Sequence, residues 1–128
     1  MEGIAPTSRD AAFAIAQELA DHKGGEVVVL DLSAHAAWTD YFVIATAMSG
    51  VHLRGLARFV DEAVTGLNLT RLNRPNTADD EEWILLDLGT VIVHLMTERA
   101  RSFYELEKLW FMAPADRITS RADLTVTS

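Results

Sequence analysis

Asp40 and Asp87 come first among residues that could do chemistry, since carboxylate oxygens converging on one point can hold a divalent cation for phosphoryl transfer. Each stands alone, however. The closely paired acids that such a site draws from one strand are missing, and so is a Gly-Ser loop ahead of them. The four histidines, His22, His35, His52 and His94, show neither His-x-x-x-His spacing nor a glutamate placed for zinc. Ser33 and Ser49 lie in no Gly-x-Ser-x-Gly elbow, and no glycine-rich phosphate loop is present. The chain has no cysteine to act as nucleophile, thiolate ligand or disulfide half. These residue types point to no catalytic group, no metal and no cofactor.

Binding is better served. Trp83, Leu85 and Asp87 alternate with Ile84, Leu86 and Leu88, so a strand here has two mostly apolar sides. An uncovered apolar side with an aromatic anchor and a flanking acid has the make-up of an interface core. The same tryptophan could equally pack beneath a helix. His94 shares a side with Ile92 and Met96, opposite Val93 and Leu95, as a core or interface histidine making one hydrogen bond would. Tyr104 and Glu105 fall in a helical block, where Glu105 and Lys108 also suit an ordinary surface pair.

Several elements must position these side chains. Ala12, Ile15, Ala16 and Leu19 mark one face of a helix over residues 8–22, stopped by Gly24-Gly25. Residues 26–32 and 39–47 read as buried strands. Ser49 is an N-cap for a long helix whose stripe runs through Leu53, Leu56, Ala57, Val60, Val64 and Leu67. A short strand is expected over 69–72, followed by an exposed acidic loop over 73–82. Residues 83–88 and 91–97 flank Gly89-Thr90, a pair suited to a hairpin turn with glycine first. One helix over 99–110 is expected to turn Phe103, Leu106 and Trp110 inward. The order implies a mixed α/β sheet of about five strands covered by helices. A single domain over residues 8–111 and a flexible C-terminal tail over 112–128 are expected.

The chain has 128 residues, 49% of them hydrophobic, and 19 acids against 11 lysines and arginines give a net charge of -8. Such a surface repels phosphate backbones and suits a basic partner. The candidate basic cluster, Arg54, Arg58, Arg71 and Arg74, is spread over a helix and a loop, so no direct sequence-specific nucleic-acid binding is expected. No run of apolar residues is long enough to span a membrane. The first ten residues lack the basic and apolar regions of a signal peptide, and a cytoplasmic location is expected.

Three stretches together carry a family resemblance: TDYFVIATA at Thr39 to Ala47, WILLDLGTVIVHLM at Trp83 to Met96, and RSFYELEKLW at Arg101 to Trp110. In type, order and spacing they resemble the signature blocks of the ribosomal silencing factor family, the RsfS or Iojap-like proteins. That resemblance implies a nucleotidyltransferase-like fold without known enzymatic activity. It also implies binding to a basic large-subunit protein, the L protein numbered fourteen, in a way that sterically blocks joining of the small subunit and represses translation. The hairpin and its neighbours then become the partner-binding set: Trp83, Leu85, Asp87, Leu88, Gly89, Thr90, His94, Met96 and Tyr104. The chain departs from the family pattern at Thr90, where an acid is common, and at Asn73-Arg74-Pro75. A homodimer through the same apolar face fits as well. A large-subunit assembly factor using the same contact, or a nucleotidyltransferase-like enzyme, stay open as alternatives.

Overall fold

The computed structural model describes residues 7–73 and 82–121. Helix α1 (Ser8–Asp21) starts at Thr7, whose hydroxyl oxygen accepts from the Asp10 N–H, and α2 (Gly50–Gly66) starts likewise at Ser49, which accepts from His52. Gly24 is required after α1, because a Cβ there would lie 2.8 Å from the Leu19 carbonyl oxygen.

The strands are β1 (Gly25–Asp31), β2 (Tyr41–Ala47), β3 (Trp83–Asp87), β4 (Val91–Thr97) and β5 (Ala115–Ile118), forming one sheet in the order β3-β4-β2-β1-β5. The β2–β4 pair is parallel and the other neighbours are antiparallel. Every residue of β2 is buried, as a central strand's should be. The alternation of side chains then divides the interior in two. Val27, Val29, Val43, Ala45, Val93, Leu95 and Leu86 face α1 and α2, while Val28, Leu30, Phe42, Ile44, Ile92 and Met96 form a second, smaller core on the other face. Both long helices lie over the first face.

Covering the second face falls to two short helices, α3 (Glu98–Tyr104) and α4 (Leu106–Leu109). The single helix expected over 99–110 is broken at Glu105, which adopts a left-handed conformation with φ of 47°. Phe103, expected inside, is 77% exposed as a result. The bend is held by Arg101, itself buried. Its Nε and Nη2 donate to the two carboxylate oxygens of Glu107 at 3.1 and 2.9 Å, and its Nη1 donates to Thr46 Oγ1 on β2 at 2.9 Å.

The count of five strands agrees with expectation, but the membership differs. No strand forms over 69–72. There the chain runs along the outer edge of β3, with the Leu72 N–H donating to the Asp87 carbonyl and the Asn73 amide bonding Leu85 O and Asp87 N. This shields part of an edge that would otherwise be open to pairing. The fifth strand is β5, inside the stretch expected to be a flexible tail. It pairs with β1 from Val27↔Ile118 to Leu30↔Ala115 and is tied to α1 by Gln17 and by the Arg121–Asp21 ion pair. The arginine holds the Asp21 carboxyl down at about 2. Residues 74–81, most of the expected acidic loop, and 122–128 lie outside the described residues.

Arg101→Met keeps an unbranched apolar stem and removes the clasp. It is expected to lower folding stability by about 2 kcal/mol, less than a fully buried pair because Glu107 is partly exposed. Urea denaturation of the two proteins measures the difference.

A candidate protein-binding face

Because α3 ends after only seven residues, it leaves the β3 end of the second core partly open. What fills the gap is a row of rings. Trp38 meets Phe42 at 5.7 Å between centroids, Phe42 meets His94 at 4.4 Å, and His94 meets Trp83 at 5.7 Å. Trp83 meets Tyr104 at 4.6 Å, and Tyr104 meets Phe103 at 4.9 Å. The middle of the row is buried and its ends are exposed: Phe42 and His94 are inside, Trp83 is half-buried, and Trp38, Tyr104 and Phe103 are 60%, 51% and 77% exposed. Tilted and edge-on contacts of this kind each add about 1 kcal/mol beyond the area they bury.

Two clefts flank Leu85 on this face. One, of about 610 Å³, is lined by Trp83, Leu85, Ala100, Phe103 and Tyr104, with Glu82 and Arg99 at its rim. The other, of about 440 Å³, lies between Trp38, Phe42, Leu72 and His94. Together they make an apolar, aromatic strip of the kind that interface cores present.

The expected side assignment holds: Trp83 and Leu85 lie on the second face with His94, Ile92 and Met96, and Ile84, Leu86 and Leu88 lie on the first. The nine residues expected to contact a partner do not, however, share one surface. Leu88 is buried beneath the helices of the first face, Met96 is fully buried in the second core, and His94 lies below the surface at 4% exposure. Met96 and His94 support the strip from beneath, whereas Leu88 belongs to the core on the opposite face. Asp87 spends a carboxylate oxygen on the Gly89 N–H at 2.8 Å, which fixes the turn where Gly89 has a φ of 87°. Thr90 accepts from the Ser8 hydroxyl at 2.8 Å, and its carbonyl accepts from the Asp40 and Tyr41 amides, so it secures α1 and β2. Trp83, Leu85 and Tyr104 line the first cleft, Asp87 and Gly89 line the second, and Thr90 is exposed at the turn. Trp38, Leu72 and Phe103 join them without any local sequence signal, since exposed and buried apolar side chains look alike in a sequence.

His94 sets the character of the middle. Its Nδ1 accepts from Trp83 Nε1–H at 3.1 Å, which assigns the ring proton to Nε2, and Nε2 is buried without a hydrogen-bond partner. Burial drives its pKa down to about 4, so the ring is neutral near pH 7. Among the described residues no group of three or more histidines, aspartates and glutamates could hold a metal ion. No helix of the described residues is long and apolar enough to cross a membrane.

Comparison with known proteins agrees with this architecture. The family model "Ribosomal silencing factor during starvation" matches residues 5–127. The chain is 37% identical over 105 residues to a ribosomal silencing factor of Treponema pallidum, an alignment covering 81% of this chain and 93% of that protein. It is 29% identical over 93 residues to a mouse protein named for mitochondrial assembly of the ribosomal large subunit, covering 71% of this chain and 41% of the relative. A crystal structure of a Chromobacterium violaceum protein superposes with a TM-score of 0.76 at 26% identity, covering 82% of this chain and 87% of that one.

The buried histidine makes stability depend on pH. Its pKa lies below the unfolded value of about 6.5, so the unfolded chain binds the extra proton and stability falls as pH drops from about 6.5 toward 4. Between pH 7 and pH 5 the loss is expected to be about 2 kcal/mol. Denaturation at the two pH values measures it, and His94→Asn should flatten the slope.

Proposed function

The chain belongs to the ribosomal silencing factor family, and from that premise we propose that it represses translation by docking its aromatic strip on the large ribosomal subunit. The partner on this reading is the basic L protein numbered fourteen, and the bound domain sterically keeps the small subunit from joining. The observation that carries the reading is the strip itself. Exposed rings of Phe103, Tyr104 and Trp38 continue into the half-buried Trp83, an arrangement that monomer stability does not require.

Charge supports it: a net charge of -8 favours encounter with a basic protein. The reading needs no bond to be made or broken, and it places the chain with ribosomes in the cytoplasm. A second reading, a large-subunit assembly factor, is favoured by the name of the mouse relative and uses the same contact at an earlier time. Self-association through the strip would compete with either.

Sedimentation of a lysate distinguishes these. A silencing factor runs with mature large subunits and is absent from polysomes, an assembly factor runs with precursor particles, and equal recovery from polysomes contradicts both. On isolated large subunits, Phe103→Ala should weaken binding roughly tenfold with little loss of stability, because its ring is mostly exposed. Trp83→Ala should weaken it by about 2 kcal/mol, roughly thirtyfold. A folded Trp83→Ala that binds as tightly as the parent removes the strip from the interface.

A further inference from the structure

We infer that His94 is a positioning residue for the docking face: it grips the Trp83 indole by its N–H edge, so that only carbon surface of the ring faces the cleft. The inference rests on the reading of that face as the binding site.

The geometry supplies three reasons. Nδ1 of His94 lies 3.1 Å from Trp83 Nε1, and the imidazole is buried, so the acceptor cannot be replaced by water without opening the core. Phe42 packs edge-on against the imidazole at 4.4 Å and restrains the ring. The third reason is the partnerless Nε2. Turning the ring over would move that N–H, but it would also set a C–H against the indole donor. The observed orientation leaves a buried donor unsatisfied on the histidine and satisfies the tryptophan.

A free indole N–H in the cleft would invite water or a hydrogen-bond acceptor and let the ring rotate. Held inward, the ring stands beside Tyr104 and Leu85 as a rigid apolar wall. The group it accepts from the partner is therefore aliphatic: a branched side chain, or the methylene stem of a lysine or arginine whose charge stays at the rim.

Two variants separate position from structure. His94→Phe keeps a ring against Phe42 and removes the acceptor, whereas Asn at position 94 places an amide oxygen close to where Nδ1 stands. The readouts on the full chain are hydrogen exchange of the Trp83 indole N–H by NMR and affinity for isolated large ribosomal subunits. His94→Phe is expected to lose the indole protection and about tenfold in affinity, and His94→Asn to keep both within about threefold. Should His94→Phe fail to fold, His94→Asn decides alone, since loss of either property in a folded His94→Asn overturns the inference. A folded His94→Phe with an unprotected indole and parental affinity also overturns it. Trp83→Ala in the same assay distinguishes the levels. Unchanged binding by that variant removes the docking face and this inference together, whereas weakened binding beside a fully active His94→Phe removes the inference alone.

Discussion

A sheet with two apolar faces and long helices over only one of them sets the terms for the rest of this protein. β2 is buried on both sides along its whole length, so the second face has to be covered, yet the chain has committed α1 and α2 to the first. The loop before β2, the α3–α4 elbow and Trp110 cover what they can. Where they stop, beside β3, the aromatic row reaches the surface. The proposed docking strip is thus a continuation of the second core into solvent.

Two buried polar side chains make that thin cover possible. Arg101 joins α3, α4 and β2 through the Glu107 carboxylate and the Thr46 hydroxyl, and Glu107 is held below the usual carboxylate range mainly by those hydrogen bonds from Arg101. His94 ties β4 to Trp83 at the start of β3. Each supplies a directed bond where apolar packing alone leaves orientation loosely fixed. Acids serve the architecture as well: Asp87, one of the two that the sequence offers as chemistry, holds a turn, and Asp21 anchors the segment after β5.

How much of this was legible follows from which interactions are local. The stripe of Leu53, Leu56, Val60 and Val64 and the alternation of residues 83–88 are periodic in sequence, and the structure places them as that periodicity requires. The break in the third helix was not legible, because Glu105 enters the left-handed region without glycine, and the restraint comes from Arg101. β5 was hidden for another reason. It is an edge strand with three of its four residues exposed, held by its backbone ladder to β1, so it shows no apolar alternation. The aromatic row joins residues from the loop before β2, from three strands and from α3, a pattern that exists only after folding. The hairpin was therefore found, but Leu88, Met96 and His94 could not be told from surface neighbours until burial was known.

Hydrogen exchange of the chain alone and bound to purified large ribosomal subunits tests the central claim most directly, because it reads every backbone segment at once. The account predicts new protection in residues 82–88 and 99–105 around the Trp83 cleft, with α1 and the outer face of α2 unchanged. Protection confined to α1 and α2, with the 82–88 segment exchanging as it does in the free chain, would contradict it.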